Sequence, residues 1–271
     1  MEGRKMRIGR KIQYVKLFTG TVLAVFLIFF NWKGSYAHYC LSLLFPLLVL
    51  LIISYGYIEL KMKERTCFKN CYFQDNSFFA RLLSGRFFVT LFYLLTSFAM
   101  TITIFASAID YPDLLWFYLL LHTLLSLFLF FYLDRLFGRM LHRRYRSIFA
   151  REWTIHIMGV LLIAVFLYLS LNSYEPAYLT DSLQETILNA SKSISSDCDL
   201  INRILKLGKT IDSSFWWVIH ESTEQTSNSM IKAGIWVAFL LYNSLALLGI
   251  NRLIIQIIYL LNTIFSKPTG K

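Results

Sequence analysis

Six long apolar stretches, at 17–32, 38–58, 87–109, 114–133, 153–171 and 234–261, decide what this chain can become. Each lies near or within the roughly 17–25 residues that a helix needs to cross a bilayer. In hydrocarbon every backbone N–H and C=O must be satisfied within the structure, and a helix does this within one segment. Composition agrees: hydrophobic residues make up 56% and charged residues 16%, against roughly 45–50% and 25% in soluble proteins. A large soluble core would lack the polar surface to cover it. The expected fold is all-α and polytopic, with about six transmembrane helices. The first stretch gains length if Tyr14 and Val15 are included, and Asn31-Trp32-Lys33 follows it in place of a small-residue cleavage site. It therefore reads as a span and not as a signal peptide.

Lys and Arg cluster between the apolar runs. The segment before residue 17 carries six basic residues, the turn after the first span one, and the loop after the second six. The turn after the third span has none, and the loop after the fourth has six. Basic residues accumulate on the cytoplasmic side of short loops, so both termini are expected in the cytoplasm of a bacterial inner membrane. Segment 174–232 has five basic and eight acidic residues, and long translocated segments are largely exempt from the rule. The expected organisation is a basic tail (1–16), a two-helix unit (17–58), a basic loop (59–86), a second two-helix unit (87–133), a basic loop or interfacial helix (134–152), the fifth span (153–171), an extracytoplasmic helical domain (174–232) and the last span with an interfacial extension (234–265). The net charge of +11 is thereby a topology signal, and no nucleic-acid partner is expected.

Segment 174–232 has helical periodicity at Leu183, Ile187, Leu188 and Ile194, and again at Leu200, Ile201, Ile204, Leu205 and Leu207, with Gly208 as a stop signal. Phe215, Trp216 and Trp217 form an aromatic cluster, read as a contact with the membrane surface or a partner surface. In 134–152, Arg135, Arg139, Arg143, Arg144 and Arg146 interleave with apolar residues. On a helix this predicts contact with anionic lipids; the other reading is a plain positive-inside loop.

Ionisable residues inside spans are costly and mark candidate sites. His122 falls near the middle of the fourth span, as a proton-relay group or a polar contact between helices. Arg252 lies deep in the last stretch. It either snorkels to the cytoplasmic face, with the remainder an interfacial helix, or is embedded in one tilted span and needs a partner; snorkelling is the expected arrangement. Asn243, Asn251 and Gln256 make this helix the most polar of the six. Acidic residues are absent from the predicted span interiors, which argues against ion coupling through buried carboxylates. Hydroxyl and small residues in the third span predict close packing with hydrogen bonds between helices, and Pro46 predicts a kink.

The four cysteines suggest no disulfide framework. Cys67 and Cys71 have zinc-ligand spacing without a second pair nearby, so no metal is expected. The chain lacks Gly-rich phosphate loops and the HExxH and GxSxG motifs, which leaves no catalytic residues or cofactor to propose.

From the third span onward, Asp113-Leu-Leu-Trp-Phe-Tyr-Leu-Leu-Leu-His122-Thr-Leu-Leu-Ser, the Trp153 helix, the long outer segment and Gly249-Ile-Asn-Arg252 resemble a poorly characterised bacterial inner-membrane family usually encoded beside a predicted GTPase. That family's YGxLPR-like ending appears here without its proline. The resemblance implies a membrane partner for a cytoplasmic nucleotide-binding protein. The expected function is a non-enzymatic membrane subunit that anchors, scaffolds or senses for a partner protein. A channel or small-solute transporter, oligomeric and lined by His122, is the alternative.

Overall fold

A computed structural model describes residues 2–72, 87–109, 111, 113–172, 176–225 and 229–266. Among these, every regular element is helical: α1 (Glu2–Ser35), a 3-10 turn (Cys40–Leu43), α2 (Leu44–Tyr72), α3 (Phe87–Ala108), α4 (Asp113–Phe137), α5 (Arg143–Asn172), α6 (Leu183–Lys192), α7 (Asp199–Gln225) and α8 (Ser229–Ser266). Six of the helices, α1–α5 and α8, are long and apolar enough to cross a membrane. The protein is an all-α, multi-pass membrane fold.

The last helix is the central post. Its stretch from Ala246 to Tyr259 is almost continuously buried, and it packs against each of α1–α5 and also α7. A helix that is apolar nearly all round belongs in the interior of a bundle, and α8 fits that rule where its neighbours instead show wide lipid-facing stripes, such as Leu23, Leu27 and Phe30 on α1. The 32 residues from Gly234 to Phe265 span about 48 Å at 1.5 Å per residue, longer than a hydrocarbon core of about 30 Å. The expected break into a span plus a separate interfacial helix is absent: α8 is continuous.

At one end of the bundle, hereafter the cap end, α6 and α7 pack together, and α7 lies against α3 and α8. Gly208 does not stop a helix there. α7 runs through it for a further 17 residues to Gln225, because the glycine marks a close approach: a Cβ at 208 would lie 3.1 Å from the Cβ of Ala106 on α3. The cap is fastened to the α1–α2 turn by a disulfide between Cys40 and Cys198, whose Cα atoms are 5.1 Å apart. The Asp197 N–H donates to Ala37 O (2.8 Å) and the Ser196 hydroxyl to Tyr36 O (2.6 Å). The expectation of no disulfide is thus corrected. Cys40 is the first residue of the second candidate span (Cys40–Thr66), on the 3-10 turn that precedes α2.

Three further expectations change. Pro46 is the third residue of α2, in the first turn, where its missing N–H has no intrahelical acceptor to lose; the helix continues past it. Segment 134–152 is not a separate interfacial helix, since α4 extends to Phe137 and α5 begins at Arg143 around a short turn. In α3 the buried hydroxyls of Ser97 and Thr101 bond to their own helix, at Tyr93 O and Ser97 O (both 2.7 Å). Their contribution to packing is small size, not bonds between helices.

Candidate functional site

The end of the bundle opposite the cap holds a cluster of buried charges. α2 passes through Ser54–Gly56–Tyr57–Glu59, α5 (Arg143–Asn172) carries Arg151 and Glu152 in its third turn, and α8 brings Arg252, Gln256 and Tyr259 between them. On α8, residues 252, 256 and 259 are spaced four and three apart and share one face. Gly56 allows the approach, because a Cβ there would lie 2.6 Å from Gln256 Oε1.

The charges form a chain across three helices. Arg151, completely buried, donates Nη1 to Glu59 Oε2 (2.8 Å), Nε to Glu152 Oε1 (2.8 Å) and Nη2 to Gly56 O (3.1 Å). Arg252, 4% exposed, donates Nη1 and Nη2 to the two oxygens of Glu152 (3.3 and 3.4 Å). Glu59 also accepts from Lys63 Nζ (2.8 Å) and from the Tyr259 hydroxyl (3.2 Å). Each guanidinium covers an aromatic face: Arg252 Cζ is 3.3 Å from the Tyr57 ring centre and Arg151 Cζ 4.7 Å from that of Tyr259, within the range of cation–π attraction. All these residues belong to the candidate spans. A planar fork with five donors suits such a network better than lysine, and removing one member of a buried pair strands the other.

This corrects the expected snorkelling of Arg252, which is embedded and paired. It also corrects the absence of acids from the spans, since Glu59 and Glu152 lie inside them. The signal in the sequence was present: Glu59 directly follows the second apolar stretch, and Arg151-Glu152 directly precede the fifth. Helix directions bring those positions and Arg252 to one depth.

A smaller polar contact lies beside this cluster. Asn251 Nδ2 donates to Ile155 O (2.8 Å), which leaves its Oδ1 to face His122 Nε2 at 3.0 Å. His122 therefore carries its proton on Nε2, and its buried Nδ1 has no hydrogen-bond partner among the described residues. The polar contact between helices is made. Among the described residues, neither amide atom of the fully buried Gln256 has a partner, nor does Ser126 Oγ, one turn from His122 on α4. Asn243 is outside the cluster; its amide donates to Phe239 O on its own helix (3.1 Å).

Of the aromatic cluster of α7, read as a membrane or partner surface, Phe215 and Trp216 pack inward on α8 while Trp217 stays partly exposed. Phe215 stacks on Tyr242 of α8 (4.8 Å between centres), and Trp216 meets Phe239 edge-on (4.9 Å). Trp217 is half-buried, its indole N–H reaching Asp181 O at 3.4 Å. Nearby, the Tyr178 hydroxyl donates to Asp212 (2.9 Å) and Lys209 Nζ lies 5.3 Å from the Tyr178 ring. Burial pushes the Asp212 carboxyl up and the Lys209 ammonium down, and each charge opposes the shift of the other.

Among the arginines proposed for lipid contact, Arg135 and Arg139 are exposed. Arg146 is not free for that role: it makes a two-pronged bond to Asp134, with Nε–Oδ1 2.9 Å and Nη2–Oδ2 2.8 Å. The side chains of Arg143, Arg144, Cys67 and Cys71 lie outside the described residues. No group of His, Cys, Asp and Glu suited to a metal occurs among the described residues. No family model, curated protein or solved structure matches this chain.

Proposed function

We propose that this chain is a non-enzymatic subunit of a bacterial inner membrane that anchors, scaffolds or senses for a partner protein. Its termini and basic loops face the cytoplasm and the α6–α7 cap faces outward. The observation that carries this reading is the chain Glu59–Arg151–Glu152–Arg252. The charges inside the spans are bonded to one another, so they fasten helices and do not line a passage. The exposed Arg135 and Arg139 remain for a cytoplasmic partner and for anionic lipid headgroups.

Two independent features support the orientation. Lys and Arg alternate between compartments, and the Cys40–Cys198 bridge lies at the end away from the basic loops. Disulfides persist in oxidising compartments and are rare where thiols are kept reduced. The family resemblance makes a nucleotide-binding protein the first partner to test.

A photoreactive amino acid at Arg139 in native membranes should yield a discrete crosslinked protein, absent when the probe is moved to the lipid-facing Phe128. Lipid adducts alone at both positions would overturn the proposal. The alternative, a small-solute channel or transporter working as an oligomer, rests on the unpartnered buried atoms of Gln256, His122 and Ser126, which a water-filled path would satisfy. Solute flux in liposomes that is lost with His122→Ala would favour it.

A further inference from the structure

The apolar surface of α7 divides into two arcs. One arc, with Ile201, Leu205 and Trp216, is buried against the bundle. The other follows a spacing of four and three through Leu200, Ile204, Leu207 and Ile211, with Val218 continuing it, and is open: Leu200 is 54% and Leu207 63% exposed. On the flank of this second arc lie the exposed Lys206 and Arg203, the latter ion-paired with Asp199 one turn earlier (Nη2–Oδ2 2.9 Å). An apolar stripe bordered by basic residues is the pattern of a helix lying in a membrane interface.

The open arc joins the lipid-facing surface of the spans through a groove of about 390 Å³, within the range of roughly 300–1,000 Å³ typical of small-molecule pockets. Leu200 and Ile204 form one wall, Leu47 and Leu50 of α2 a second, and Phe98 and Ile102 of α3 a third. Leu47 and Phe98 are themselves exposed on the outside of the bundle, so the groove opens where hydrocarbon lies. Phe98 is ten residues from the end of α3 at Ala108, about 15 Å along the axis, or half of a hydrocarbon core of about 30 Å. The groove thus has the depth of one leaflet. Trp32 also lines it, and its buried indole N–H has no hydrogen-bond partner among the described residues.

We infer that this groove holds an acyl chain of a phospholipid from the leaflet on the cap side, with α7 lying half-immersed over it. The apolar walls take the chain, and Lys206 reaches the headgroup phosphate. The site is at the end opposite the ionic cluster and is independent of any protein partner.

The test uses the full chain in vesicles of phosphatidylcholine doped with a phosphatidylcholine that carries a diazirine near the end of one acyl chain. After photolysis, peptides containing 200–205 and 43–50 should be labelled severalfold more than the peptide around Phe128, a lipid-facing control on α4. Leu50→Trp, which fills the groove, should lower labelling of both segments to the control level and leave Phe128 unchanged. Ile204→Trp serves the same purpose should the first variant fail to fold. Labelling of the wild type at control level overturns the inference.

Discussion

The two ends of the bundle fasten helices that are far apart in sequence by opposite means. At one end Arg151 and Arg252 of α5 and α8 share Glu152, and Arg151 reaches Glu59 of α2, so the fastening is a network of charges within the spans. At the other end one covalent bond, Cys40–Cys198, closes a separation of 158 residues, and aromatic packing of Phe215 and Trp216 against α8 does the rest. The ionic end depends on all its members, since each charge left alone inside a membrane is costly. The cap end depends on one covalent bond, on the hydrogen bonds of Ser196 and Asp197 to the α1–α2 turn and on apolar area, and it can lose contacts singly.

That contrast can be broken experimentally. Glu152→Gln removes the negative charge that Arg151 and Arg252 share and replaces one of its two acceptor oxygens by a donor, and should cost about 3–5 kcal/mol, read as a loss of unfolding free energy in a fixed detergent. Cys198→Ser should cost about 2–5 kcal/mol, the usual range for a native disulfide, and should destabilise the cap while leaving the far end intact, which hydrogen exchange on 199–225 against 151–158 would resolve. A variant that melts both ends equally would erase the distinction. Gly208→Leu forces a side chain against Ala106 and should cost about 1–3 kcal/mol by thermal unfolding, with the loss confined to α7. His122→Phe strands Asn251 Oδ1 and should cost least, about 0.6 and at most about 1.7 kcal/mol, as measured for hydrogen bonds between membrane helices.

The spans were legible in the sequence because lipid imposes a length and a composition on them. The ionic cluster was not, and the reason is local. Glu59 follows Ile58 and Glu152 precedes Trp153, so both acids are adjacent to the apolar windows and read as loop residues. Only the antiparallel directions of α2 and α5 bring them to the depth of Arg252. His122 and Asn251 were each visible as costly polar residues in spans, but their pairing across 129 positions depends on the packing of α4 against α8. The aromatic run 215–217 gave no sign of which side it faces, since an apolar arc covering more than half of α7 leaves either choice open. The cysteine pair was hidden in the same way, by distance along the chain and by an apolar run that made Cys40 look internal.

The claim that the buried charges hold helices together is tested most directly by replacing a pair as a unit. Glu152→Met and Arg252→Met together remove one carboxylate and one guanidinium while filling the space, and they leave Arg151 bonded to Glu59 and to Gly56 O, with only its Nε losing an acceptor. A holding role predicts that the double variant unfolds within about 1 kcal/mol of the wild type, because apolar replacement of a whole buried pair is often neutral, and that the Arg139 crosslink persists. A double variant that folds normally but loses the crosslink, or gains or loses ion flux in liposomes, would contradict it.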